Sequence, residues 1–306
     1  MFNDTWNYAL GKSRGVAVRV RRGMRATRKP VPDPIWTERQ RRGDPITWWI
    51  GPQIQFLHLE KTGGTALSVH MSRRFHPAQI APDLAGMQAA AGSVSTNDRF
   101  PDLTTETRWT ARQTRLLCGH YDLPALREIS GDLPKYRVTV LREPRARLLS
   151  LYNYWRAITN STVPEIRIAQ THDLRAFLAH PDPIIRNAID NLYVRRLTGL
   201  YADAGSDPFR TNPDAALSHA LKSLGHFDRV GVSEDMDSLG RHIAHDLDVK
   251  GLGKVPRLNA LASMMAKGHP GIQAVEPAPI APEAEALLAF HTCFDRIVYD
   301  AVRQAS

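Results

Sequence analysis

QIQFLHLEKTGGTAL, residues 53–67, changes its pattern twice in a short span. Ile54, Phe56, Leu57 and Leu59 form an apolar run after Gly51-Pro52 and predict a strand. Glu60-Lys61-Thr62-Gly63-Gly64-Thr65 breaks it, and Ala66, Leu67 and Met71 resume with helical spacing to about Phe75. Strand, glycine loop and helix start are what an anion cradle needs. Glycines let the backbone approach and adopt positive φ, and the first-turn N–H groups and helix dipole favour negative charge. Lys61 adds a full charge, and Thr62 and Thr65 add hydroxyl donors. The Walker pattern GxxxxGK[ST] is not met: the lysine precedes the glycines, and no hydroxyl residue follows a Gly-Lys pair to hold magnesium. A glycine-rich βα turn with a solvated lysine accounts for the same residues.

Working outward, Tyr136–Leu141 (YRVTVL) reads as a β-branched strand that runs into Arg142-Glu143-Pro144. Pro144 suits the first turn of a helix, whose apolar face holds Leu148, Leu151, Tyr152 and Trp155. Leu116-Leu117-Cys118 is a shorter apolar run, followed by Gly119-His120-Tyr121. Strands alternating with helices predict an α/β fold with a central parallel sheet flanked by helices. Such sheets bind ligands beyond the carboxyl ends of their strands. Lys61, His120 and Arg142 each follow a predicted strand, so all three are expected on one rim. Arg142 with Ser150, two helical turns further on, suits a second phosphate, while Arg145 and Arg147 read as surface arginines.

Phe177–Arg196 reads as mostly helical, with Asn187, Asn191 and Arg195 at i, i+4 steps. Further helices are expected over Pro213–Leu224, after a Ser233 cap with Met236, Leu239, Ile243 and Leu247 inward, and from Pro282. The last would bury Leu287, His291, Phe294, Ile297, Val298 and Ala301, with His291 packed and not a ligand. Phe227–Val232 reads as a strand and Lys250–Pro282 as loop-rich. Residues 76–115 are irregular, with a helical stretch at Ala85–Ala91 and loop from Gly92 to Pro101, and are expected to shape an acceptor pocket.

The 306 residues carry a net charge of +9, of which residues 1–44 hold +7, eleven Lys/Arg against four Asp/Glu. Those residues read as a basic, partly disordered arm, with a weak edge-strand alternation over Val16–Arg21. The length allows one large α/β domain or two small ones, and residues 45–306, led in by Trp48-Trp49, read as one domain. A solvated tail is the simpler reading of the arm; attraction to a polyanion or an anionic membrane surface is the sharper one. Two distant cysteines, Cys118 and Cys293, argue against a disulfide framework or zinc site and fit a reducing compartment. No apolar run reaches membrane-spanning length, and no secretory h-region opens the chain.

Several motifs, taken in order, resemble a known family. FLHLEKTGGTAL resembles the 5′-phosphosulfate loop of sulfotransferases that use 3′-phosphoadenylyl sulfate (PAPS), and LREPRARLLSLYNYWR resembles their 3′-phosphate motif RxPxxRxxSxYxY. CGHYDL, NLYVRRLTGL and FDRVGVSEDMDSL resemble later segments, so the likeness spans about residues 53–302. The chain is most similar to the carbohydrate group, the heparan-sulfate 2-O-type enzymes and their bacterial relatives. The resemblance implies a P-loop-NTPase-like sulfotransferase fold and in-line sulfuryl transfer from PAPS to a carbohydrate or glycolipid hydroxyl. Adenosine 3′,5′-bisphosphate would be the product, with no metal required and no nucleic acid partner. It implies that Thr62, Gly63, Gly64, Thr65 and Ala66 hold the 5′ end, with Lys61 as stabiliser of the leaving phosphate, and that Arg142 and Ser150 hold the 3′-phosphate. His120 is the implied base, with Glu60 as the alternative; the second histidine of the 2-O-type enzymes is replaced by Asp122. A bacterial, cytoplasmic protein follows, able to lie peripherally at a membrane through its arm. Two competing readings are an atypical nucleotide-dependent kinase and a non-catalytic polyanion binder of the same fold.

Overall fold

In the computed structural model, residues 49–72, 74–75, 79, 115–129, 134–249, 252, 254–255, 261–268 and 271–305 are described. The expected arm, Trp48 and the Ala85–Ala91 and Gly92–Pro101 readings lie outside them. The elements in chain order begin β1 (Gln53–Leu57), α1 (Gly64–Ser72), β2 (Leu116–Gly119), α2 (Leu123–Ile129), β3 (Lys135–Leu141) and α3 (Pro144–Ala157). Short helices follow: α4 (Pro164–Thr171), α5 (Leu174–Leu178), α6 (Pro183–Ile189), α7 (Leu192–Thr198), α8 (Pro208–Thr211) and α9 (Pro213–Ser223). Then come β4 (Arg229–Val232), α10 (Met236–Leu247), α11 (Leu261–Ala266) and the long α12 (Pro282–Ala305). No described helix is long and apolar enough to cross a membrane.

The four strands form one parallel sheet in the order β2-β1-β3-β4. Parallel neighbours need crossovers, and the helices between them cover both faces. The β1 and β3 side chains divide by parity. Ile54, Phe56, Val138 and Val140 pack with Leu67 and Met71 of α1 and Leu239 and Ile243 of α10. Leu57 and Leu141 pack on the opposite face with Val194 of α7, Ala220 of α9 and Val298 of α12. Phe56 and Leu57 are fully buried, which contributes about 1.5–3 kcal/mol each against an exposed reference. A third cluster joins α3 to α5, α6 and the start of α12 through Leu148, Leu151, Phe177, Ile185 and Leu288.

The topology fixes where a ligand can enter. β1 connects onward to β2 and β3 to β4, so the two adjacent strands lead away in opposite directions. The crevice beyond their carboxyl ends is the binding position of doubly wound sheets. Leu57 pairs with Gly119 and Thr139, and Leu141 with Val232, so the strand ends, and the loops that leave them, lie along one edge.

Several expectations need correction. Phe177–Arg196 is mostly helical as expected, but in separate pieces, so its i, i+4 steps do not run along one helix. It is broken at His180–Asp182, where Pro183 begins α6, and at Asn191, whose φ of +47° ends the α6 direction. Ser233 does not cap α10: it starts a 3₁₀ turn, and the Asp235 carboxylate accepts from the Ser238 amide as the cap. The buried stripe of α12 runs Ala284, Leu288, His291, Asp295, Val298, Val302, leaving Leu287, Ile297 and Ala301 half-buried. Within Lys250–Pro282, which is loop-rich as expected among the described residues, the short helix α11 is the addition. Arg147 is fully buried inside α3, unlike Arg145, which pairs with Glu285 at the surface.

Candidate functional site

The loop from β1 to α1 is held by its own polar groups. The Thr62 hydroxyl, fully buried, donates to the Leu59 carbonyl at 2.8 Å, and the Ala66 amide donates to the Gly63 carbonyl at 3.1 Å. Both residues are expected among the donor-binding groups; in the structure the Thr62 hydroxyl and the Ala66 amide also close the loop. Gly63 and Thr65 remain exposed at the helix start, with Gly64 buried beneath them. Gly63 has a φ of +84°, which suits only glycine well. Gly64 is required by contact: a Cβ there would lie 2.1 Å from His58 Cδ2. Lys61 itself sits at φ +66°, an uncommon conformation for a non-glycine residue that costs on the order of 1 kcal/mol or more.

That twist brings Lys61 against two partners from the β3–α3 segment. Its Nζ lies 3.6 Å above the ring of Tyr154, and its carbonyl accepts from Arg142 Nη1 at 3.1 Å. Burial, and then the nearby Arg142 guanidinium, push the Lys61 amine down to about 8. Among the described residues, no carboxylate forms a salt bridge with Lys61 or Arg142. Two cations therefore share the crevice uncompensated. Ser150 lies one helical turn before Tyr154 on the same face of α3, so the face carrying Ser150 is turned toward Lys61. The amides of α3's own first turn are already capped, since Glu143 accepts from the Arg145 and Ala146 N–H groups and pairs with Arg296.

His120 follows β2 and stands beside the loop. Its Nδ1 is 2.7 Å from the His58 carbonyl. A carbonyl only accepts, so Nδ1 carries a proton, and in the neutral ring the lone pair is on Nε2. The two imidazoles lie 4.4 Å apart between centroids, and His58 stacks on Phe56. Burial, then the neighbouring His120, lower His58 to about 3, so it stays neutral. Glu60, the alternative base, is paired with the buried Arg196. Asp122, where a second histidine was sought, caps α2 by accepting from the Ala125 amide at 2.8 Å.

Lys61, Arg142, His120 and Glu60 are thus brought together at the carboxyl edge of the sheet. Tyr154, Tyr193 and Arg196 belong beside them and were not singled out from the sequence. Tyr193 and Arg196 stand three apart within NLYVRR, a spacing that puts both on one helical face. His291 is packed as expected, with Nε2 2.9 Å from the Leu178 carbonyl. Among the described residues, no group of three His, Cys, Asp or Glu is placed to hold a metal ion. No protein-family model matches the chain, and no curated protein matches it.

Proposed function

We propose that the chain is a PAPS-dependent sulfotransferase on a P-loop-NTPase-like sulfotransferase fold, acting on a hydroxyl of a carbohydrate or glycoconjugate. The carrying observation is the meeting of Lys61 and Arg142 in one crevice, with no carboxylate salt-bridged to either among the described residues. Two adjacent, half-buried cations repel each other and favour a polyanion; separated phosphates on one nucleotide would serve both. The donor supplies an activated sulfuryl group, and every other role falls to the protein. Lys61 is suited to neutralise the leaving 5′-phosphate oxygen, Gly63, Gly64 and Thr65 to line the 5′ end, and Arg142 with Ser150 to hold the 3′-phosphate. His120 Nε2 is suited to take the acceptor hydroxyl's proton as the new S–O bond forms and the S–O bond to phosphate breaks. The pairing of Glu60 with Arg196 favours His120 over Glu60 as base.

Isothermal titration with adenosine 3′,5′-bisphosphate tests the reading, and a folded wild-type chain that does not bind it overturns the proposal. Lys61→Ala is expected to lower kcat by about a hundredfold or more, while Arg142→Ala chiefly raises the donor KM. Magnesium-dependent ATP turnover without sulfuryl transfer would favour a kinase instead. Placement in the cytoplasm, and contact of residues 1–44 with an anionic membrane or polyanion, belong to the same proposal; salt-dependent binding to anionic vesicles tests the contact.

A further inference from the structure

Three loops meet at the site, and each leaves a different strand. Glu60 belongs to the loop after β1, His120 to the turn after β2 and Arg142 to the junction after β3. Neighbouring strands hold these loops only up to the last ladder bond. Beyond it, their backbone groups need other partners.

One short helix supplies them. Tyr193 is fully buried on α7, and its hydroxyl makes two bonds to a single residue: it donates to the Arg142 carbonyl at 2.6 Å and accepts from the Arg142 amide at 3.0 Å. Arg196, one turn later and nearly buried, donates through Nη1 to the His120 carbonyl at 3.2 Å and through Nη2 to the Glu60 carboxylate. The planar guanidinium suits this double grip because its donors point in fixed, divergent directions. Apart from the Glu60 carboxylate, each of these contacts is to backbone, so the side chains of Arg142 and His120 stay available to a ligand.

We propose that Tyr193 and Arg196 are positioning residues, and that α7 sets the spacing between the anion receptor at Arg142 and the base at His120. Tyr193 holds the β3 end and Arg196 holds the β1 and β2 ends, and their separation along one helix face fixes the distance between the two halves of the site. The catalytic consequence rests on the proposed transfer reaction; the mechanical brace does not. Arg196 has a second role, since its pairing with Glu60 keeps that carboxylate from competing for the acceptor proton.

Two conservative variants of the full chain separate the halves. Tyr193→Phe removes one hydroxyl and keeps the ring; Arg196→Lys keeps the charge and loses the fork. Amide exchange is followed by mass spectrometry over peptides covering residues 56–62, 118–122 and 140–145, alongside titration with adenosine 3′,5′-bisphosphate and donor kinetics. Tyr193→Phe is expected to speed exchange at Arg142 about tenfold, leave residues 118–122 unchanged, and weaken bisphosphate binding about tenfold. Arg196→Lys is expected to loosen residues 56–62 and 118–122, lower kcat about tenfold, and change bisphosphate affinity less than twofold. Uniform acceleration across the sheet, or unchanged exchange in both variants, would overturn the brace, because a merely structural role moves all three segments or none. If wild type binds no bisphosphate while the two exchange patterns separate as described, the transfer reading falls and the brace stands.

Discussion

Raising the pH from 7 to 9 should weaken polyanion binding through Lys61 alone. Burial and the Arg142 charge bring this amine down to about 8 from its ordinary 10.5. A bound phosphate favours the ammonium, so its pKa rises in the complex and binding takes up a proton. At pH 7 most free molecules hold a charged lysine, and at pH 9 about a tenth do, so affinity for adenosine 3′,5′-bisphosphate should fall about tenfold. The ligand moves the other way: with second pKa values of about 6, its phosphates are about nine-tenths ionised at pH 7 and fully so at pH 9, which favours binding at the higher pH. Calorimetry in buffers of different ionisation enthalpy gives both the affinity and the proton count. Lys61→Arg provides the control, because a guanidinium does not titrate in this range.

Folding stability should move the other way over the adjoining window. The folded Lys61 pKa lies below its unfolded value, so between about 8 and 10.5 the unfolded chain holds more protons and stability rises with pH. Weaker binding at pH 9 therefore has no origin in the lysine destabilising the fold. A wild-type affinity that stays flat from pH 7 to 9, or a Lys61→Arg variant with the same decline, would refute the reasoning.

Gly64→Ala places a Cβ 2.1 Å from His58 Cδ2, so the ring must move; we expect a loss of about 1–3 kcal/mol in urea denaturation together with weakened bisphosphate binding. Asp190→Asn leaves the fully buried Arg195, now 2.6 Å from the Asp190 carboxylate, with Asp207 as its remaining acid; chemical denaturation should show a loss of about 3–5 kcal/mol. Burial raises Asp295 to about 7 against the attraction of Arg147. Its folded pKa exceeds the unfolded value, so its contribution to stability is full below about pH 4 and declines as pH rises through 7. Asp295→Asn removes that slope, and the stability of the variant relative to wild type should increase from pH 4 to pH 7.

The sheet was legible because its strands are apolar runs bounded by breakers. Gly51-Pro52 precedes β1, Pro134 precedes β3, and Pro144 ends the extended segment after β3. Position after a strand was enough to place Lys61, His120 and Arg142 on one edge, because parallel strands share a direction. Periodicity failed where polar residues point inward. Asn187, Asn191 and Arg195 follow helical spacing across a point where the helix is broken, and all three are buried. Asn191 reverses its own backbone at φ +47° while its side-chain oxygen accepts from the Phe294 and Asp295 amides. Nothing in local sequence announces partners a hundred residues away. Arg147 reads as a surface residue for the same reason: an arginine in a helix is usually solvated, and only the fold reveals that it is buried, with Nη2 donating to the Ala188 carbonyl at 3.3 Å.

These inward polar groups have a common geometric consequence for the site. An apolar helix face packs in several azimuths at similar cost, but a hydrogen bond does not tolerate rotation. On a helix, slipping by one residue turns every side chain by about 100°, which would carry Tyr193 away from Arg142 and Arg196 away from Glu60. α7 is pinned against this from both ends. The Asp295 carboxylate accepts the Tyr193 and Val194 amides at its start, and Arg195 is tied to Asp190, Asp207 and the Leu200 carbonyl near its end. Asp190 is in turn held by Arg210 and His291. Buried ion pairs contribute little net stability once their desolvation is counted, and a well-packed apolar core would hold the fold as well. What the ion pairs add is a single register for the helix that grips all three loops of the candidate site, which explains why so much charge is buried behind a site where, among the described residues, Lys61 and Arg142 have no acidic partner.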